Sequence, residues 1–140
     1  MGILSIDIDN DLPITDENLK EFGFYKSGWG RPDSRITTGK HRGEGAKWNE
    51  EHMFWQYNER LERNIFAVMW YFPKCFTGYC TAFNWHGKKP AGGIYITIDN
   101  AASTVCEAWC ETHYVESMDA VKSALSIIKQ RYNEKYKRKL

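Results

Sequence analysis

Apolar residues recur along this chain with two periods, and the change of period marks the elements. Leu4, Ile6 and Ile8 alternate with Ser5, Asp7 and Asp9, which predicts a short edge strand. Asp9-Asn10-Asp11 and Pro13 end it. Thr15 then reads as a helix N-cap, with Asp16 and Glu17 at the positive end of the helix dipole. Ile14 and Leu19 are spaced as a hydrophobic staple, and Gly23 stops the helix as a C′ glycine. Phe24 and Tyr25 begin a strand. Ser27 to Lys47 reads as a long irregular stretch, rich in glycine, with a short strand around Arg35 to Thr38.

Asn49 to Arg63 carries both signals. Met53, Tyr57 and Leu61 share a helical face, with Glu50 and Glu51 at the start and Arg60 and Arg63 near the end. Phe54, Trp55 and Tyr57 equally suit a strand. Helix is the favoured reading. From Ile65 to Phe72 the chain is apolar on both faces, as in a central strand. Phe76 to Trp85, the Ile94, Ile96 and Ile98 run, and Thr104 to Tyr114 follow as further strands. Short connections predict that these four pair consecutively and antiparallel. Ser117 caps a last helix. Met118, Val121, Leu125, Ile128, Tyr132 and Tyr136 form its apolar stripe.

The chain therefore reads as a single α+β domain over residues 1–140. Its antiparallel meander sheet has the C-terminal amphipathic helix packed on one face, with one or two further helices. In the last strand Cys106, Ala108 and Cys110 alternate with Glu107, Trp109, Glu111 and His113. The small residues are expected under the helix and the acids and histidine on the opposite face.

Composition changes little of this. At 140 residues and 42% hydrophobic, the chain has material for a core and is too apolar for disorder. The net charge of +1 gives no reason to expect a polyanionic partner. Charge is unevenly placed, however. Asp7, Asp9, Asp11, Asp16, Glu17 and Glu21 crowd the start, and Lys129, Arg131, Lys135, Lys137, Arg138 and Lys139 the end. The two groups are placed to attract each other within one chain or between two copies, so a homo-oligomer is compatible. No stretch reaches the ~18 apolar residues of a membrane span, and no secretory signal pattern is present. The expected setting is the cytosol, without membrane contact, where cysteines are reduced.

Candidate chemistry is sparse. Cys75 with Cys80, and Cys106 with Cys110, have roughly the spacing of ligand pairs. On strands, four or five steps span roughly 13–17 Å, too far for one ion or a disulfide. Buried thiols are the better reading. Glu107, Glu111 and His113, stepping along one strand face, hold the residue types of an acid–base or metal site, but a solvated sheet face shows the same alternation. Gly39-Lys40-His41 fails as a phosphate loop, since Ser34 stands where the first glycine is needed and His41 where Ser or Thr is needed. No nucleophile motif occurs, and no cofactor or metal site is predicted. Basic and aromatic residues do interleave. Trp29, Arg31, Arg35, Lys40, Arg42 and Trp48 lie in or beside the long stretch, and Trp85, Lys88 and Lys89 near the glycine-rich connection. That mixture serves a protein–protein hot spot or single-stranded nucleic acid, and a solvated loop with some tryptophan tucked into the core shows it too; the near-neutral net charge leans away from nucleic acid.

The run from Ile14 to Phe24, Ile-Thr-Asp-Glu-Asn-Leu-Lys-Glu-Phe-Gly-Phe, resembles the opening of many short phage- and prophage-encoded proteins of unknown function. The resemblance implies a mobile-element origin and carries over no functional residue. The leading expectation is a non-enzymatic protein acting through a protein partner, in the form of an inhibitor of a host defence system. The alternatives are nucleic-acid binding by the basic aromatic loop and tail, and a metal-dependent enzyme using Glu107, Glu111 and His113.

Overall fold

The computed structural model describes residues 12–28, 51–77, 90–100 and 109–135. Over these it is α+β. The elements are α1 (Asp16–Phe22), β1 (Tyr25–Gly28), β2 (Met53–Glu62), β3 (Ile65–Tyr71), β4 (Gly93–Asn100), β5 (Cys110–Tyr114) and α2 (Met118–Lys135). The strands form one antiparallel sheet in the order β1-β2-β3-β4-β5, a meander, and α2 packs on β3 and β4. The expected strands at Leu4–Ile8 and Arg35–Thr38 lie outside the described residues.

Two expectations fail here. Met53 to Glu62 is a strand, not a helix. Steps of four residues are also even, so Met53, Tyr57 and Leu61 share a strand face as readily as a helical one. Trp55, two positions along and 1% exposed, reveals the true period. The expected pairing of Ile65–Phe72 with Phe76–Trp85 also fails. β3 has β2 on one edge and β4 on the other, which leaves no edge for a further strand. Phe76 and Thr77 are not in a strand, and the rest of that expected strand, from residue 78, lies outside the described residues.

The cap chemistry forms as its residues dictate. Thr15 Oγ1 accepts from the Asn18 amide at 3.1 Å. At the other end Gly23 N–H donates to Lys20 O and Phe24 N–H to Leu19 O, the paired bonds of a Schellman motif. Gly23 sits at φ +122°, and a Cβ there would lie 3.1 Å from the Tyr57 ring. The ring belongs to a cluster with Phe22 and Phe24, at centroid distances of 5.1 and 5.4 Å. Glycine is thus required for both its backbone conformation and the close approach.

The core lies between the sheet and α2. Ala67, Met69, Ile94, Ile96, Val121 and Ile128 are fully buried, and Met118, Ala124 and Tyr132 nearly so. Ser117 Oγ accepts from the Ala120 amide at 3.4 Å at the start of α2. Polar pairs then hold both flanks of the helix. Lys129 Nζ lies 2.8 Å from Glu59 on β2, and Arg131 lies 3.5 Å from Glu111 on β5. Tyr57 donates to Glu59 beside the first pair, and Tyr132 donates to Glu62. Among the described residues the bases of the C-terminal helix therefore meet acids of the sheet and Glu134 of their own helix, not the acids of α1.

Gly23→Ala should destabilise by about 1–2 kcal/mol from its left-handed backbone alone, read as a lower urea midpoint with unchanged slope. The flanking pairs predict a pH profile. The hydrogen bonds from Lys129 and then Tyr57 hold the Glu59 carboxyl below its ordinary value of 4.5. Burial, and then Glu59, push the Tyr57 phenol up to about 12. The hydrogen bond to Glu62, and then burial, push Tyr132 up to about 12. A depressed acid stabilises above its unfolded value and stops doing so as pH falls through its folded one; a raised phenol stabilises below its unfolded value and stops as pH rises through its folded one. Stability should therefore be flat between about pH 5 and 9 and fall on both sides. Tyr57→Phe with Tyr132→Phe should flatten the alkaline limb; an unchanged limb in urea titrations of that variant would contradict the assignment.

Candidate binding surface and adjoining cleft

Strand register sorts the sheet into two unlike faces, because cross-strand partners point the same way. Ile96 opposes Glu111 and Ile94 opposes His113. Glu111 and His113 thus lie on the helix face, and the expectation that they point away from α2 is overturned. Cys110 opposes Thr97 and is exposed on the face opposite α2, not buried under that helix. The alternation was real but its phase was reversed. β5 is an edge strand beside α2, so a carboxylate there reaches Arg131 while staying partly solvated. His113 Nε2 lies 3.5 Å from Glu111 Oε2, but among the described residues no group of three or more His, Cys, Asp or Glu is placed to hold a metal ion. Cys75, expected to be buried, is exposed as well.

The sheet face opposite α2, which no described helix covers, is built from Tyr25 on β1; Phe54, Gln56 and Asn58 on β2; Val68 and Trp70 on β3; Tyr95 and Thr97 on β4; and Cys110, Thr112 and Tyr114 on β5. One row crosses all five strands in register: Tyr25, Gln56, Trp70, Tyr95, Thr112. Its middle is rigid. Phe54 stacks on Trp70 at 4.5 Å and 21°, and Trp70 meets Tyr95 edge-on at 6.4 Å. Phe54 also packs with Phe72 and Phe76 in a second buried cluster. Gln56 donates to Asn58, and Asn58 to the Tyr25 hydroxyl at 3.0 Å. Tyr25 and Tyr114, at opposite edges, are 48% and 54% exposed. None of these positions is charged, although 26% of the chain is. Among the described residues, charge returns at one end of the face, as Arg60 and Asp99 on either side of Phe66.

A cleft opens on the helix side. Its volume is about 310 Å³, and Pro13, Ile14, Thr15, Asp16, Leu19, Trp55, Tyr71, Pro73, Lys74, Val115 and Glu116 line it. Trp55 and Tyr71 are register partners on β2 and β3. The segment before α1 is held against the β5–α2 link by the Pro13–Ser117 bridge and by the Met118 amide donating to Leu12 O at 2.8 Å. Leu19, Trp55, Tyr71 and Val115 are buried and form the floor, while Asp16, Lys74 and Glu116 are exposed at the rim. Burial, and secondarily Cys75, raise the Tyr71 phenol, so the floor stays uncharged. Glu111 and His113 are not part of this lining.

Trp29, Arg31, Arg35, Lys40, Arg42, Trp48, Trp85, Lys88, Lys89 and Glu107 lie outside the described residues. Sequence reasoning did not find Tyr25, Gln56, Trp70, Tyr95 and Tyr114 as a group. Tyr25, Trp70, Tyr95 and Tyr114 fell on expected strands and Gln56 on an expected helix, and only the pairing register joins residues so distant in sequence into one row. No described helix is long and apolar enough to cross a membrane. No family model, no curated protein and no solved structure matches the chain.

Proposed function

We propose that this protein is a non-enzymatic binding protein that engages a protein partner through the sheet face opposite α2, in the cytosol. The observation that carries the reading is the charge-free band of tyrosine, tryptophan, amide and hydroxyl side chains crossing all five strands. Interface cores are enriched in aromatics and depleted of charge. Tyrosine and tryptophan supply contact area at small entropic cost because few torsions are frozen. Phosphate contact, which dominates nucleic-acid affinity, needs lysine and arginine, and this band has neither. The resemblance of Ile14–Phe24 to short phage- and prophage-encoded proteins supports a host protein as the partner, with a defence-system component as the form we favour.

The test is comparative capture from host extract. The native chain should retain a specific protein. Tyr25→Ala and Tyr114→Ala should each weaken that complex about fivefold or more, with thermal stability unchanged within the range of ordinary surface substitutions. Lys122→Glu, on the exposed side of α2, should leave it intact. Equal retention by all variants would exclude the face, and turnover of a small molecule without any retained protein would exclude the binding reading.

A further inference from the structure

The geometry points to the cleft between α1 and the β5–α2 link as a site for a small zwitterion with an apolar body, of the class of free α-amino acids with aromatic or branched side chains. This site is distinct from the partner-binding face and does not rest on it. At about 310 Å³ the cleft stands at the small end of ligand pockets, which run from roughly 300 to 1,000 Å³. A cleft of that size suits a small ligand.

The lining selects its chemistry. The floor of Leu19, Trp55, Tyr71 and Val115 is apolar and pre-formed, held by the core on one side. The rim carries both signs of charge. Among the described residues, neither Asp16 and Glu116 nor Lys74 forms an ion pair with another side chain. A purely apolar occupant would strip water from three charges and pair none of them. A simple cation would face Lys74, and a simple anion would face two carboxylates. A zwitterion offers its ammonium group to Asp16 or Glu116 and its carboxylate to Lys74, and its side chain meets the apolar floor, where the Lys26 ammonium already stands over the Trp55 ring at 5.6 Å. Each charge-assisted contact is of the stronger class of hydrogen bond.

Calorimetric titration of the full chain with L-phenylalanine, L-leucine and glycine tests this, with L-phenylalaninamide lacking the carboxylate and 3-phenylpropionate lacking the ammonium group. Saturable binding is expected for L-phenylalanine or L-leucine, at least about tenfold weaker for either truncated analogue, and weakest for glycine. Lys74→Ala should weaken L-phenylalanine about tenfold and leave the amide unchanged. Asp16→Asn with Glu116→Gln should weaken L-phenylalanine and leave 3-phenylpropionate no weaker. These rim positions are exposed, and circular dichroism of each variant establishes that it is folded. No saturable heat with either apolar amino acid at millimolar concentration would overturn the assignment. So would an amide that binds as tightly as the acid, or rim variants that bind as the native chain does. Retention of the protein partner by Lys74→Ala separates this outcome from that of the sheet face.

Discussion

The structure depends on one burial: the apolar stripe of α2 against the helix face of β3 and β4. Val121, Ala124 and Ile128 meet a surface of Ala67, Met69, Ile96 and Ile98. Ala67 is the significant member. It is fully buried in a cluster of larger side chains, so a bulkier residue there would have to displace a neighbour. A lone amphipathic helix in water gains little from propensity, so α2 owes its stability to this face. The sheet depends on it equally, since Ile94, Ile96 and Ile98 would otherwise be exposed. The stripe is offset from the simplest reading: Ala124 is buried, and Leu125 lies only half-buried at its margin.

The polar pairs on each side of α2 set its rotation more than its affinity. Partly exposed ion pairs are worth ~0–1 kcal/mol each, which is small beside the buried stripe. With Lys129 tied to β2 and Arg131 to β5, however, any rotation of the helix breaks a pair on one side. They also account for where the charge goes. Glu59, Glu62 and Glu111 all stand on the helix face of the sheet and serve the helix, while among the described residues the opposite face carries its charge at the Arg60–Asp99 end. A sheet with one face committed to a helix ordinarily dissolves the other face in lysine and glutamate. Here tyrosine, threonine and amides take those places.

Which parts were legible follows from what one strand or helix can know about itself. Thr15, Gly23 and Ser117 act locally, so their caps and the helix bounds follow from sequence. Ile94, Ile96 and Ile98 declare a strand by strict alternation. Alternation has a period but no sign, and at β5 the sign was wrong. Nothing in Cys110-Glu111-Thr112-His113 says which side α2 will take; the pairing of Ile96 with Glu111 decides it. Met53, Tyr57 and Leu61 failed for a related reason, since a four-residue step is common to both periods. Cys75 and Cys110 were assigned to the core by residue type, yet a turn and an edge strand put both thiols in solvent.

The cleft and the aromatic face are built back to back on the same two strands. Trp55 and Tyr71 point into the cleft, while their chain neighbours Phe54, Gln56, Trp70 and Phe72 belong to the other side. A strand cannot tilt one side chain without tilting the next, because successive residues share the pleat. Both surfaces are therefore positioned by the centre of a five-stranded sheet, whose β2 and β3 are paired along both edges. Sites carried by strands hold their geometry better than sites carried by loops. The physical case for function here lies in that rigidity: a preordered aromatic row on one side, and a preformed apolar floor under a rim of mixed charge on the other, each spared the entropic cost of assembling its parts when something binds.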